Sequence, residues 1–268
     1  MGKKVAVVFD SAGTLVHMYR VARATADGST LEDIETTMLV AGYPERALVV
    51  MHTGSGEIFR EDPDLPIAEF IARHNIDIDI VCAGGDLSLG HVRGLIGGSN
   101  VRLAALRDVI CMVHNHCPGI FYLAAGIIVD AGPGTISHTL STGGKLYPRS
   151  GEVFSRLRER GVDTYVASGD SMRNLRRLAD RLDIPLGNVF DTTSPEDKED
   201  IVNRLKQRYS HVVMVGDGLN DLLAIRAADT GVVTRQQGDS RPSVLLEAAD
   251  NVIDDIARVV DIVFPLLG

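Results

Sequence analysis

Two unbroken apolar runs, Val5 to Phe9 and Val212 to Val215, stand out along the chain. Apolar runs without alternation mark strands buried on both faces, as in a parallel sheet. Around the second run, strand and helix patterns alternate. Gly151 to Arg160 is amphipathic, with Val153, Phe154 and Leu157 on one side and Gly161 as its stop. Val162 to Ala167 predicts a strand. Ser171 to Leu182 predicts a basic helix carrying Leu175, Leu178 and Leu182, and Val189-Phe190 a short strand. Ser194-Pro195-Glu196-Asp197 is a helix start, with a capping side chain, a proline in the first turn and acids at the positive end. Beyond Val215 the pattern predicts a helix over Leu219 to Ala228, a strand over Gly231 to Val233 and a helix over Ser243 to Ala249. A strand over Asn251 to Ile253 and a helix over Asp255 to Phe264 complete it.

Alternating strands and helices build a parallel sheet with helices on both faces, an α/β fold. Val5 to Phe9 has the same buried character and is expected to join that sheet. Residues 16–140 break the regular pattern. They hold glycine pairs, strand candidates at Ala47 to Met51 and Ile78 to Cys82, and a helix from Val101 to about His114. The expected organisation is a core of residues 1–15 and 141–268 with a smaller α/β domain, residues 16–140, inserted after the first strand. The crossings are expected at the glycines around Gly28 and Gly143, as hinges.

Ligands of such sheets gather at the C-terminal ends of the strands. Asp10, Ser168 and Asp217 each follow a predicted strand directly, and Lys198 lies near a helix start. Asp10-Ser11-Ala12-Gly13-Thr14 offers a carboxylate able to attack phosphorus, with Gly13 allowing close backbone approach to a phosphate. Ser168-Gly169-Asp170 offers a hydroxyl and amides for phosphate oxygens. Lys198 is a compact cation for the charge on a transferring group. Gly216-Asp217-Gly218-Leu219-Asn220-Asp221 offers hard oxygen ligands suited to Mg²⁺. Each string alone is ordinary: a turn, a cap or a solvated lysine. All four in this order, each on its expected element, point to one phosphoryl-transfer site.

These strings resemble the haloacid dehalogenase superfamily, and within it the phosphorylation domain of P-type ATPases. Those proteins carry Asp-Lys-Thr-Gly-Thr, Thr-Gly-Asp, a lysine and Gly-Asp-Gly-x-Asn-Asp. The likeness covers about residues 5 to 15 and 145 to 264, including Ala227 to Val232 and Glu247 to Val252. It implies a Rossmann-like core with an inserted cap, and a phosphoaspartate on Asp10. It implies Mg²⁺ held by Asp10, the Ala12 carbonyl, Asp217 and Asp221. Ser168 and Lys198 are then the catalytic phosphate ligands, with Ser11, Gly13, Thr14, Gly169 and Asn220 completing the phosphate-binding loops.

Ala12 departs from the pattern of most phosphatases of this superfamily, which place a second aspartate two residues after the nucleophile for acid-base work. Phosphonoacetaldehyde hydrolase resembles this chain in having alanine there, but uses a cap lysine. No lysine occurs here between Lys4 and Lys145, which excludes that chemistry from the inserted domain. The expected activity is a Mg²⁺-dependent phosphohydrolase for a small phosphorylated molecule. The alternative is a regulatory or binding protein with weak phosphoryl turnover and the cap as a sensor.

The 268 residues carry a net charge of −9, which argues against general nucleic-acid binding. No apolar run reaches the about 20 residues of a membrane-spanning helix. The basic start Met1-Gly2-Lys3-Lys4 is followed by too short an apolar run for a signal peptide. Three cysteines fit a reducing compartment, so a cytoplasmic location is expected. Cys111, His114, His116 and Cys117, with Cys82 and His91, have two readings: a transition-metal site, or buried cysteines and a polar helix end before Pro118.

Overall fold

The computed structural model describes residues 4–117, 119–238 and 241–268, with only the backbone of Tyr122 and Arg173. Met1 to Lys3 and Pro118 lie outside them. The strands, in chain order, are β1 (Val5–Phe9), β2 (Val16–Ala24), β3 (Thr30–Glu32), β4 (Arg46–Met51), β5 (Ile78–Ala83) and β6 (Tyr122–Asp130). They continue as β7 (Thr135–Leu146), β8 (Asp163–Ala167), β9 (Val189–Phe190), β10 (His211–Gly216), β11 (Thr230–Thr234) and β12 (Asn251–Ile253). Backbone contacts divide the chain into Met1–Met18 with Lys145–Gly268, and Tyr19–Gly144.

The first unit is built on a parallel sheet of order β12-β11-β10-β1-β8-β9. β1 lies inside it and is buried throughout. Ala6 and Val8 point to one face, against Ile201, Val202 and Leu205 of the helix Pro195–Lys206 and Ala224 of the helix Leu222–Ala227. Phe9 points to the other face, its ring 4.8 Å from that of Phe154 on the helix Ser150–Glu159. Burial on both faces explains the run without alternation.

Two helices differ from the sequence expectation. Leu219 to Ala228 is a 3-10 turn, Leu219–Asp221, followed by the helix Leu222–Ala227. The Asp221 carboxylate accepts from the amides of Asp217 and Gly218 and tightens that turn. The last helix begins at Arg258 rather than Asp255, because the Asp255 carboxylate accepts from the Ala257 amide ahead of it.

The second unit contains a sheet of order β3-β2-β7-β6-β4-β5, with antiparallel pairing of β2–β3, β4–β5, β4–β6 and β6–β7. One face packs on helices that supply Ile58, Phe70, Val92, Leu106, Ile110 and Val113. The expected helix from Val101 runs over Leu103–His116. The division between the units falls between Met18 and Tyr19, away from Gly28, and between Gly144 and Lys145, beside Gly143. Gly28 sits in the hairpin turn between β2 and β3 with φ +72°. Gly143 lies inside β7 opposite Leu123, where a Cβ would fall 2.4 Å from Val113 Cγ1. Its missing side chain therefore serves close helix-on-sheet packing. Among the described residues no helix is long and apolar enough to cross a membrane.

Candidate active site

Register brings the motifs of the first unit to one edge. Phe9 pairs with Val215 on β10 and with Val166 on β8. One position further along, Asp10 stands beside Gly216 and Ala167, so Asp217 and Ser168 flank it at the C-terminal ends of the neighbouring strands. The Asp10 amide donates to the Val215 carbonyl at 2.9 Å, extending the ladder to the nucleophile candidate.

Lys198 reaches the same edge from the helix Pro195–Lys206. Ser194 accepts from the Asp197 amide and the Asp197 carboxylate accepts from the Ser194 amide, a reciprocal cap that fixes the helix start. Lys198 follows on the buried side of that first turn, with no solvent exposure. Its Nζ donates to Asp10 Oδ1 at 2.6 Å and to Asp221 Oδ1 at 2.7 Å. Burial alone would favour a neutral amine, but the Asp10 and Asp221 carboxylates outweigh it and hold the ammonium above the ordinary lysine range. Burial and the Asp221 and Asp217 charges push the Asp10 carboxyl well above the usual carboxylate range, with Lys198 opposing them. Three acids and one lysine thus form an electrostatically crowded site.

Asp10, Asp217 and Asp221 each place a carboxylate oxygen within 4.8 Å of the others. All-oxygen donors at this spacing fit a hard divalent cation. Asp221 is buried and also anchors its own loop, one oxygen on Lys198 and the other on the Asp217 and Gly218 amides.

Gly13 has φ +78°, and a Cβ there would lie 2.1 Å from Asp217 Oδ2. Close approach of the acidic loop, more than of phosphate, is what demands glycine here. The Gly13 amide donates to the Val16 carbonyl and the Thr14 amide to the Ser11 carbonyl. Both amides are thus engaged inside the loop rather than presented to phosphate. Thr14 is fully buried, its hydroxyl without a hydrogen-bond partner among the described residues. Gly13→Ala is expected to cost about 1–2 kcal/mol in backbone strain and to displace Asp217. Chemical denaturation and Mg²⁺ titration of the variant would test this, and unchanged values in both would refute it.

Ser168 is buried, and its hydroxyl accepts from the Asp170 amide at 3.2 Å, which keeps its O–H to donate. Its carbonyl accepts from the Thr193 amide, tying this loop to the segment that leads to Lys198. Ser11 is buried, Gly169 and Asn220 are exposed, and Ala12 makes an isolated bridge to Val16. The cysteine and histidine candidates are not brought together. Cys111 is exposed and Cys117 buried, and His116 stacks on Tyr19. Among the described residues the one cluster of potential metal ligands is the aspartate group.

Three residues unforeseen from the sequence join the site from the loop after β11. Arg241 Nη2 pairs with Asp217 Oδ2 at 2.9 Å. Gln236 donates to the Thr14 carbonyl at 3.2 Å and accepts from the Ile256 amide at 2.8 Å. The Gln237 side-chain amide bonds both the Met18 amide, at 2.8 Å, and the Met18 carbonyl, at 3.0 Å. The available signal was position: polar residues just after another parallel strand belong to the ligand edge.

A family model described as haloacid dehalogenase-like hydrolase matches residues 5–229. The chain is 30% identical over 261 residues to a soluble P-type ATPase-like phosphatase of Methanocaldococcus jannaschii, covering 97% of this chain and 93% of that protein. It is 33% identical over 172 residues to a copper-transporting ATPase of Helicobacter felis, covering 63% of this chain but only 22% of the transporter. Among solved structures, a zinc-transporting PIB-type ATPase aligns at TM-score 0.47 and 20% identity. That alignment spans 99% of this chain and 41% of the other.

Proposed function

Since the chain belongs to the haloacid dehalogenase-like hydrolase family, we propose that it is a Mg²⁺-dependent phosphatase acting through an aspartyl phosphate on Asp10. The proposed substrate is a small phosphorylated molecule. The observation that carries this reading is the Asp10 carboxylate held by buried Lys198 beside two further aspartates. That arrangement supports a nucleophile whose incoming phosphate meets a fixed cation.

In the first step an Asp10 carboxylate oxygen attacks phosphorus. The bond from phosphorus to the leaving oxygen breaks, and its electron pair departs with that oxygen. Lys198 offsets the charge on the phosphoryl oxygens, and the Ser168 hydroxyl donates to one of them. In the second step water attacks the same phosphorus, the acyl-phosphate bond breaks, and the Asp10 carboxylate returns with inorganic phosphate. Mg²⁺, when bound, supplies charge neutralisation between carboxylates and phosphate. Asp10, Asp217 and Asp221 would hold it, with the Ala12 carbonyl as the proposed backbone ligand.

Ala12 has no group to protonate the leaving oxygen or activate water. General acid-base help is worth about 10²- to 10⁴-fold, so substrates with good leaving groups are favoured and dephosphorylation is slowed. Rapid-quench measurement with acetyl phosphate and Mg²⁺ is expected to show a burst of phosphoenzyme before steady turnover, abolished by excess EDTA. Full activity in EDTA would refute the metal requirement. Fast turnover of unactivated sugar phosphates without a burst would refute the argument from Ala12.

A further inference from the structure

We propose that Arg241 is a built-in counter-cation of the Asp217 carboxylate that competes with the divalent metal for it. The proposal rests on the Mg²⁺ reading of this site and extends it to a residue that reading does not use. Each of the three clustered carboxylates has a cation supplied by the chain. Lys198 serves Asp10 and Asp221, and Arg241 serves Asp217 at 2.9 Å. The Arg241 and Asp217 side chains are only 12% and 16% exposed, so solvent screens this pair poorly.

A metal ion on Asp217 therefore meets a positive charge already bonded to that carboxylate. Two effects act in the same direction. The guanidinium occupies part of the bonding capacity of a carboxylate that would hold the metal, and its charge would repel the metal at short range. The guanidinium also relieves repulsion among the acids when no metal neutralises them.

The loop that carries Arg241 is also tied at two other residues. Gln236 ties that loop to Thr14 and Ile256, and Gln237 ties it to both backbone groups of Met18. Arg241 Nε also reaches the Thr234 carbonyl at 3.4 Å, a bond that Arg241→Gln and Arg241→Lys both lack, so comparing the two variants separates it from the charge. Removing the charge at 241 leaves the ties of Gln236 and Gln237 untouched, so the effect of the charge reads out at the metal.

Isothermal titration of Mg²⁺ into the full chain tests this, using wild type, Arg241→Gln, Arg241→Lys and Asp217→Ala. Arg241→Gln is expected to bind Mg²⁺ about 5- to 10-fold more tightly, the scale of a partly buried ion pair. Arg241→Lys keeps the charge and should stay within about twofold of wild type. In EDTA, Arg241→Gln should melt below wild type, and saturating Mg²⁺ should narrow the gap. A merely structural role would instead weaken Mg²⁺ binding in Arg241→Gln. Unchanged or weaker binding in that variant overturns the proposal, while the Mg²⁺ reading stands if Asp217→Ala loses binding. If Asp217→Ala binds as wild type does, or no variant binds Mg²⁺, the Mg²⁺ reading fails and this proposal with it.

Discussion

Asp10→Asn is expected to remove turnover of every phosphorylated substrate, by a factor on the order of 10⁵ or more, as for loss of a catalytic nucleophile elsewhere. The amide keeps the shape of the carboxylate but lacks its nucleophilic oxygen. The fold should survive. Lys198 retains its bond to Asp221, and one charge leaves a crowded acidic group. Removing a buried carboxyl that its neighbours already disfavour in charged form should not lower stability at neutral pH. The measurement pairs turnover and acid-quenched phosphoenzyme with thermal denaturation. Activity retained in a folded Asp10→Asn protein would exclude Asp10 as the attacking group and with it the proposed phosphoaspartate.

Lys198→Met is expected to damage both stability and activity. Methionine fills similar space, but Asp10 and Asp221 would lose the cation bonded to both while remaining buried. Removing one member of a buried charged group typically costs about 3–5 kcal/mol. The variant should relieve this by taking up a proton at Asp10, whose carboxyl burial and the neighbouring acids already raise and which then lacks the lysine that opposes them, against an unfolded value near 4, the approximate range of free Asp. A carboxyl with a raised folded pKa costs stability as pH rises through that value and costs none below the unfolded one. The deficit relative to wild type should therefore be large at pH 7 and shrink as pH falls toward 5. Urea denaturation across that range checks the sign. A deficit that grows on acidification would mean that Lys198 does not act as the counter-charge. Activity should fall with stability controlled, because the phosphate loses its fixed cation.

The candidate site was legible in the sequence because its residues sit at punctuation points that local physics dictates. Asp10 and Asp217 stand at the ends of apolar runs that mark buried strands, and Ser168 follows a mixed strand whose last three residues are buried. Lys198 follows a cap whose serine, proline and aspartate are recognisable without a partner. The inserted segment was far less legible. β2, β6 and β7 are long strands that fall outside the expected elements. β7 carries Gly143-Gly144 and many polar residues, and β6 carries Gly126. Strand preference depends on cross-strand partners more than on the segment itself, and β6 takes one of its partners, β4, from far back in the chain.

Sequence alone determined on which element each candidate group stands, since strand burial and helix capping are local consequences of residue order. Tertiary structure decided how those groups are wired. Register set Asp10 beside Gly216, the interior position of Lys198 let one ammonium bridge two carboxylates, and Gly13 gained its meaning only from Asp217 crossing it. Arg241, Gln236 and Gln237 entered the site from a loop with no motif. Their contacts span up to 222 positions of sequence. No local pattern encodes a partner that distant, and only the folded sheet, by aligning the ends of its strands, brings such residues within hydrogen-bonding reach.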